Sequence, residues 1–291
     1  MSSSSSSPRV WLITGSSSGF GKTLTEFALS KGDIVVATLR KPEVLKELQD
    51  RTSPEKLLVL KVDVTKEEDI LDAFAKTKER FGRIDIVINN AGYSMATVVE
   101  STPEDAARAL FDTNFWGATR VSREAVRTFR DSNPAGTGGR LIVISSYTGI
   151  RAFPIMGYYG ATKHALEAIT QSLAEELDPN WNIKVSLVEA GAFRTLSIQS
   201  AKRFPIHEAY LTPTSGLAKV EKLFGHLEKP ETKLGDTIKF AEKIWELAAL
   251  PNPPLRLPLG QDAVGFVEDQ LKLVSTDLEA YRSWSSDLME K

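Results

Sequence analysis

Apolar residues along this chain fall into short continuous runs that alternate with amphipathic stretches. Six runs rich in strand-forming residues predict buried strands, at residues 9–14, 33–39, 57–62, 84–89, 140–145 and 183–188. The stretches between them predict helices, at residues 22–32, 42–50, 66–81, 103–130 and 157–177. Continuous apolar strands that alternate with helices are typical of a parallel sheet covered on both faces. The pattern therefore predicts an α/β fold with a doubly wound parallel sheet.

The pattern becomes irregular after Gly191. Residues 194–235 mix helix and loop signals, with prolines at 205, 213 and 230 as breaks, and predict a lid segment over a substrate. Beyond it the sequence predicts a helix at 236–250, a seventh strand at 255–259 and a final helix at 265–281. We therefore expect about seven strands in a single domain over residues 9–291, preceded by a disordered serine-rich tail at residues 1–8.

Composition and charge narrow the chemistry. The 36 basic and 38 acidic residues give a net charge of −2, which predicts no general electrostatic attraction to nucleic acid. No apolar stretch is long enough to span a membrane, and no secretory signal is present, so a cytoplasmic location is the default expectation. The chain has no cysteine and three scattered histidines, which excludes thiol chemistry and argues against a metal site. Redox chemistry would need an organic cofactor.

A glycine-rich turn follows the first predicted strand and reads TGSSSGFG from Thr14 to Gly21. A turn of this kind lets the backbone approach a pyrophosphate at the N-terminus of the next helix. We expect Gly15 to allow the tight turn, Gly19 to keep side chains away from the phosphates and Gly21 to let helix and strand pack closely. Ser17, Ser18 and Phe20 lie in the same turn and are predicted to contact the cofactor.

The spacing TGxxxGxG resembles the short-chain dehydrogenase/reductase family, and four further motifs extend the resemblance over about residues 9–195. The family's NNAG stands at residues 89–92, and its aspartate after the third strand is matched by Asp63-Val64. Its Tyr-x-x-x-Lys occurs once, at Tyr159 and Lys163, with Ser146 placed 13 residues upstream of the tyrosine. Asn114 stands where the family has its catalytic asparagine. The resemblance implies a Rossmann fold and an oxidoreductase that uses a nicotinamide cofactor.

The resemblance also implies residue roles. Ser146 would bind the substrate oxygen, Tyr159 would donate the proton, Lys163 would bind the ribose, and Asn114 would anchor a water that connects Lys163 to solvent. Because Tyr159 and Lys163 are four residues apart on a predicted helix, they share one face, and a nearby ammonium should lower the tyrosine pKa. The remaining residues implied to bind the cofactor are Asp63, Val64, Asn90, Ala91, Gly92, Phe193 and Thr195.

The end of the second predicted strand bears on cofactor choice. Leu39 stands where family members that use NAD carry an aspartate, and Arg40 follows it. A guanidinium there can bind a 2′-phosphate, so we expect NADP(H), with NAD(H) as the alternative. After the sixth strand the family often has Pro-Gly, whereas this chain has Ala190-Gly191. We expect the Phe193 backbone to meet the carboxamide and Thr195 to meet the phosphates, although the missing proline weakens both assignments.

Substrate residues should follow the carboxyl ends of the strands, where ligands bind in wound sheets. This predicts that the substrate contacts Met95, Ser146, Tyr147, Phe153 and Tyr159. Further residues predicted near the site are Tyr93, Ser94, Ile155, Met156, Tyr158, Leu196 and Ile198. Because the set is mainly apolar and aromatic and contains no cluster of basic residues, a neutral ketone, aldehyde or secondary alcohol is favoured.

Two other functions remain open at this stage. A non-catalytic dinucleotide sensor or scaffold could share the fold, although such proteins usually lose the tyrosine or the lysine, and both are present here. An epimerase-type relative would also carry Tyr-x-x-x-Lys, but with a different glycine spacing. The resemblance further implies a homodimer or homotetramer formed by the helices predicted at 103–130 and 157–177.

Overall fold

The computed structural model describes residues 7–197, 199–229 and 232–289. Most of the predicted serine-rich tail, at residues 1–6, lies outside the described residues, as does Ile198. The strands are β1 (Val10–Thr14), β2 (Ile34–Leu39), β3 (Leu57–Lys61), β4 (Ile86–Asn89), β5 (Gly139–Ile144), β6 (Ile183–Ala190) and β7 (Arg256–Leu259). The α-helices are α1 (Gly19–Ser30), α2 (Lys46–Asp50), α3 (Glu67–Phe81), α4 (Glu104–Phe111), α5 (Ala118–Asp131), α6 (Gly157–Glu176), α7 (Gly216–Phe224), α8 (Thr237–Leu247) and α9 (Gln261–Tyr281).

The seven strands form one parallel sheet in the order β3-β2-β1-β4-β5-β6-β7, which confirms the predicted fold class. The order reverses direction between β1 and β4, and ligands of wound sheets bind at the carboxyl ends of the strands beside this point. Two apolar clusters cover the two faces of the sheet. One contains Trp11, Leu24 and Ile244, and the other contains Phe74, Val121 and Leu166. Burial on both faces explains why the strands read as continuous apolar runs.

The helix predicted at residues 103–130 is interrupted. Between α4 and α5 the segment Asp112–Gly117 adopts a π-helical turn, which widens the helix by one residue. A Cβ at Gly117 would lie 2.9 Å from the backbone oxygen of Val64, so the chain passes very close to the loop after β3 here. Apolar periodicity does not show such a turn, because the pattern on either side of it remains helical.

Two helices begin earlier than the sequence pattern indicated. Helix α1 begins at Gly19, inside the glycine-rich turn, so its first backbone amides lie beside the loop. Helix α9 begins at Gln261, four residues before Gly265, where the sequence pattern predicts its start. Its extra first turn brings Asp262 to the end of β6, where the Asp262 carboxylate accepts a 2.7 Å hydrogen bond from the backbone amide of Ala192.

The predicted lid segment, residues 194–235, leaves the sheet after β6 and returns beside its own starting point. Phe193 and Gly235 form a short bridge, and the amide of Arg194 donates to the carbonyl of Gly235 at 2.9 Å. The described part of the segment contains α7 and short 3-10 turns, including Glu208–Tyr210. Both ends of the segment are therefore fixed next to the carboxyl edge of the sheet.

Candidate active site

A cavity of about 680 Å³ opens at the carboxyl edge of the sheet, above β1, β4, β5 and β6. Most of the site residues expected from the sequence line it: Gly15, Ser17, Ser18, Gly19, Phe20, Arg40, Asp63, Val64, Asn90, Ala91, Gly92, Met95, Ser146, Tyr147, Tyr159, Lys163, Phe193 and Thr195. Of the further residues expected nearby, Tyr93, Ser94, Ile155, Met156 and Leu196 also line it, whereas Tyr158 does not. The volume suits a small-molecule ligand.

Three expected residues lie behind the cavity wall. Gly21 packs against the loop itself, since a Cβ there would lie 2.3 Å from the carbonyl oxygen of Gly15. Phe153 is buried behind Tyr147, with ring centroids 5.5 Å apart, and so supports the wall from outside. Asn114 is buried beneath the segment after β4.

The glycine-rich turn has the backbone that a phosphate-binding loop requires. Gly15 and Gly19 have φ angles of +72° and +52°, which residues other than glycine rarely adopt. Gly19 also faces Thr195, 3.4 Å from where a Cβ would lie, so the turn and the lid segment leave a narrow space between them. The residues therefore form a cradle of bare backbone at a helix N-terminus, which suits a pyrophosphate.

The loop after β4 fixes this turn. The Thr14 hydroxyl accepts hydrogen bonds from the amides of Asn90 and Ala91 at 2.9 and 3.0 Å. In return, the Asn90 side chain donates to the carbonyl of Thr14 at 2.9 Å. A network in which all of these buried polar groups are paired is rigid. The NNAG segment thus sets the shape of the phosphate-binding turn from the neighbouring strand.

Asn114 lies within the π-helical turn and holds the start of the next loop. Its carboxamide oxygen accepts from the amide of Tyr93 at 3.0 Å, and its nitrogen donates to the carbonyl of Tyr93 at 2.9 Å. The same nitrogen lies 3.3 Å from the Thr162 hydroxyl, one residue before Lys163. Asn114 therefore connects the cavity wall to the helix that carries Tyr159 and Lys163. A single-turn π-helix at such a position is a common feature of functional sites.

Tyr159 and Lys163 point from α6 towards the end of β5. The Lys163 ammonium donates to the carbonyl of Ile144 at 2.9 Å and lies 5.9 Å from the centre of the Tyr159 ring. Burial raises the pKa of Tyr159 to about 12, and the neighbouring Ser146 side chain lowers it in part. Burial also lowers the pKa of Lys163 to about 8, while the Glu167 carboxylate raises it.

This differs from the expectation that Lys163 lowers the tyrosine pKa. In this geometry the ammonium is bonded to a backbone carbonyl, and loss of solvent around the phenol has the larger effect on Tyr159. Spacing on the helix does not reveal this burial, which results from the packing of α6 over β5.

Two buried carboxyl groups lie beyond Lys163 and were not expected from the sequence. Glu167 is one helical turn after Lys163, and Glu189 is on β6; both are almost fully buried. Arg256 lies 3.3 Å from Glu167 and 3.7 Å from Glu189. Burial raises the pKa of Glu167, which Ser145 and Arg256 lower in part. Burial and the charge of Glu167 raise the pKa of Glu189 to about 7. Within the described part of the protein, neither side-chain oxygen of Glu189 has a hydrogen-bond partner.

The end of β2 carries the residues that bear on cofactor choice. Leu39 is buried at the end of β2, and Arg40 is exposed at the cavity wall. Burial would raise the pKa of Asp63, but hydrogen bonds from Thr65 and the charges of Arg40 and Lys66 lower it below its usual value. Arg40 is thus close enough to Asp63 for its charge to lower the pKa of that carboxyl group.

The rim of the cavity is joined to the lid segment by backbone hydrogen bonds. The amide of Ala96 donates to the carbonyl of Lys202 at 2.8 Å, and the amide of Lys202 donates to the carbonyl of Ser94 at 3.0 Å. On the other side, the amide of Thr97 donates to the carbonyl of Ile155 at 2.8 Å. Ile155 has a φ of +58°, which is strained for a β-branched residue. Strain of this kind concentrates at functional sites.

Among the described residues, no group of three or more histidines and carboxylates could hold a metal ion. Across the same ranges, no helix is both long enough and apolar enough to cross a membrane.

Residues 9–204 match the family model described as short chain dehydrogenase. An uncharacterized oxidoreductase of Schizosaccharomyces pombe is 36% identical over 273 residues, covering 92% of this chain and 88% of the relative. A 3-ketodihydrosphingosine reductase of Bacteroides thetaiotaomicron is 31% identical over 256 residues, covering 87% and 88%. The crystal structure of a short-chain dehydrogenase from Streptomyces avermitilis is 34% identical, with a TM-score of 0.85, and covers 98% of this chain and all of its own.

The buried carboxyl of Glu189 gives the stability of the protein a specific pH dependence. Because its pKa is raised from 4.5 to about 7, the folded state keeps a proton that the unfolded chain has lost, and stability falls as the pH rises through this range. Glu189→Gln cannot ionise, so its advantage over the wild type should grow by up to about 3 kcal/mol between about pH 5 and about pH 8.

Urea unfolding at a series of pH values measures this difference. Glu175→Gln, an exposed position on the same helix as Glu167, is the control and should show no such growth. A constant difference between Glu189→Gln and the wild type across the range would contradict the raised pKa.

Proposed function

The chain belongs to the short-chain dehydrogenase family, and we propose that it is an NADP(H)-dependent oxidoreductase that interconverts a carbonyl group and a secondary alcohol. The observation that carries the proposal is the convergence of Ser146, Tyr159 and Lys163 on one cavity, opposite the glycine-rich turn. A hydroxyl donor, a phenol and an ammonium at one point can bind a carbonyl oxygen and give it a proton.

The residues of the cavity fit a nicotinamide dinucleotide. Gly15 and Gly19 form the bare-backbone cradle for the pyrophosphate, and Asp63 and Val64 border the end assigned to the adenine. Lys163 would bind the ribose beside the nicotinamide, and the Phe193 backbone and Thr195 would close the pocket over it. When bound, the nicotinamide ring supplies or accepts the hydride, which the side chains of this chain cannot do.

The side chains of the site would transfer the proton to and from the substrate oxygen. Ser146 would donate a hydrogen bond to the substrate oxygen and hold it beside the Tyr159 hydroxyl. Tyr159 would then give its proton to that oxygen during reduction and take it back during oxidation. Because burial makes the phenol a weak acid in the protein alone, the charge of Lys163 must help to stabilise the phenolate as the proton leaves.

Lys163 would restore the proton of Tyr159. Asn114 lies under this region and shares Thr162 and Tyr93 as neighbours, which places it where a water that connects Lys163 to solvent could be held. In this role Asn114 shapes the route and does not itself exchange a proton.

The cavity favours a neutral and bulky substrate. Met95, Tyr147, Ile155 and Met156 form its wall near Tyr159, and Leu196 lies on the lid segment above. We propose that residues 194–235 act as the substrate-binding lid of the single domain that spans residues 9–291. The 3-ketodihydrosphingosine reductase among the relatives supports reduction of a ketone by this kind of site.

The remaining properties stay proposals drawn from the family. We propose a cytoplasmic protein that forms a homodimer or homotetramer through the helical layer containing α4, α5 and α6. A non-catalytic dinucleotide sensor on the same fold is the alternative function, and the assay below distinguishes it.

Tyr159→Phe should reduce the rate of NADPH consumption at least about 100-fold across a panel of ketones and aldehydes, since it removes the proton donor. NADPH binding, measured by fluorescence, should be retained, because the phenol ring remains. Equal rates for wild type and variant would contradict the mechanism. Binding of NADPH without turnover of any carbonyl compound would favour the sensor.

Arg40→Ala should raise the KM for NADPH at least about 10-fold and leave the KM for NADH nearly unchanged, because only NADPH carries the 2′-phosphate. Steady-state kinetics with both cofactors measures the two constants. Lys41→Ala, at the next and also exposed position, is the matched control. Equal KM values for wild type and Arg40→Ala with both cofactors would show that Arg40 does not select the cofactor.

A further inference from the structure

Helix α9 packs on the rest of the protein only near its beginning. Ala263 is fully buried, and the Phe266 ring lies 5.0 Å from the ring of Tyr147. The guanidinium of Arg151 pairs with the carboxylate of Asp269 at 2.7 Å. From Leu271 onwards every described residue up to Met289 is exposed. About three turns of helix therefore extend away from the body of the protein.

Helix α9 and the residues after it carry an unusual share of exposed apolar side chains. Nine of the eighteen large hydrophobic residues that are exposed in the described chain lie between 264 and 289: Val264, Leu271, Leu273, Val274, Leu278, Tyr281, Trp284, Leu288 and Met289. A concentration of exposed apolar side chains in one segment suits an interaction site. The exposed part of α9 has only about three turns, a length that is marginal in water by itself, so a partner that covers it would stabilise it.

The apolar residues have the spacing of a coiled coil. Steps of three and four residues connect them from the first turn of α9 to the end of the described chain, through Val264, Val267, Leu271, Val274, Leu278, Tyr281, Ser285 and Leu288. We call these eight positions the α9 seam. Only Ser285 is polar, and all but Ser285 and Leu288 lie within α9. Apolar residues that alternate at three and four positions pack into the matching spaces of another helix, so the expected partner is helical.

The α9 seam is not the face that holds the helix to the protein. The residues that contact the body are Asp262, Ala263, Phe266 and Asp269. At about 100° per residue these four lie on one side of the helix, and the seam residues within α9 are centred roughly 120° further around it. A second helix can therefore lie along the seam without displacing the contact between Phe266 and Tyr147.

We propose that the α9 seam pairs with the α9 seam of a second copy of this chain. Charges beside the seam fit this partner in either orientation. In a parallel pair, Asp277 of one copy faces Arg282 of the other, and in an antiparallel pair Glu268 faces Arg282. Each arrangement repeats by symmetry, which gives two ion pairs for one contact.

The charge of the same segment argues against a membrane surface as the partner. Residues 261–288 contain six acidic side chains and two basic ones. Anionic lipid headgroups would repel this excess of negative charge, whereas helices that bind in a membrane interface are rich in lysine and arginine. The pairing is distinct from the interface proposed for α4, α5 and α6.

Two neighbouring residues provide a matched test of the pairing. Val274, in the α9 seam, is 53% exposed, and Leu273, outside it, is 56% exposed. We expect Val274→Asp and Leu278→Asp to halve the mass of the assembly, measured by size-exclusion chromatography with light scattering at about 10 µM. Leu273→Asp should keep the wild-type mass. Because all three side chains are exposed, the folded subunit should tolerate each change, which circular dichroism checks.

Introduced cysteines then locate the contact, since the natural chain has none. Val274→Cys alone should form disulfide-linked dimers under mild oxidation if the helices are parallel. If they are antiparallel, Val274→Cys should link to a tagged Leu278→Cys chain when the two are mixed, because a disulfide requires Cα atoms within about 7 Å. Either pattern supports the proposal, provided that Leu273→Cys does not link.

Three results would overturn the proposed pairing of α9 seams. The first is a wild-type chain that remains a monomer up to about 100 µM, whether or not it sediments with phosphatidylcholine–phosphatidylserine vesicles. The second is an assembly whose mass does not change in Val274→Asp and Leu278→Asp. The third is an equal loss of mass in Leu273→Asp, since the contact would then not follow the seam. NADPH oxidation by the Val274→Asp subunit should stay within about 2-fold of wild type, which keeps this test separate from that of the proposed function.

Discussion

The burial of Lys163 at the end of β5 is the constraint on which the proposed active site depends. An ammonium is costly to remove from water unless the protein supplies partners for it. Here the carbonyl of Ile144 accepts one of its hydrogen bonds at 2.9 Å, and the Glu167 carboxylate is one helical turn away. Ile144 ends β5, so the position of the charge is fixed by the sheet, and helix α6 must pack where the side chain can reach that carbonyl.

Other parts of the site follow from this placement. With α6 held over β5, Tyr159 lies one turn before the lysine and faces the cavity next to Ser146. Thr162 lies within hydrogen-bond distance of Asn114, which is in the widened π-helical turn between α4 and α5. Asn114 in turn holds Tyr93 at the beginning of the loop that joins the lid segment. A series of hydrogen bonds and sequence neighbours therefore connects the buried Lys163 ammonium to the rim of the cavity.

The sequence predicted the fold class well because a sheet buried on both faces produces continuous apolar strands, and the motifs predicted the residues that line the cavity. It could not predict the break in the helix around Asn114, because that break depends on Tyr93 and Val64, which are distant in the sequence. It also placed Phe153 in the substrate pocket, whereas the ring packs behind Tyr147. The position of Glu167, four residues after Lys163, was readable from the sequence, but its importance depends on burial and on Arg256 from the last strand.

The most direct test of this account is the pH dependence of kcat/KM for carbonyl reduction in the wild type and in Glu167→Gln. The account predicts that wild-type activity declines as Lys163 loses its proton, near pH 8. In the variant this decline should move to lower pH, because the carboxylate that raises the pKa of Lys163 is gone. A decline at the same pH in both proteins would contradict the claim that Glu167 keeps the buried lysine charged.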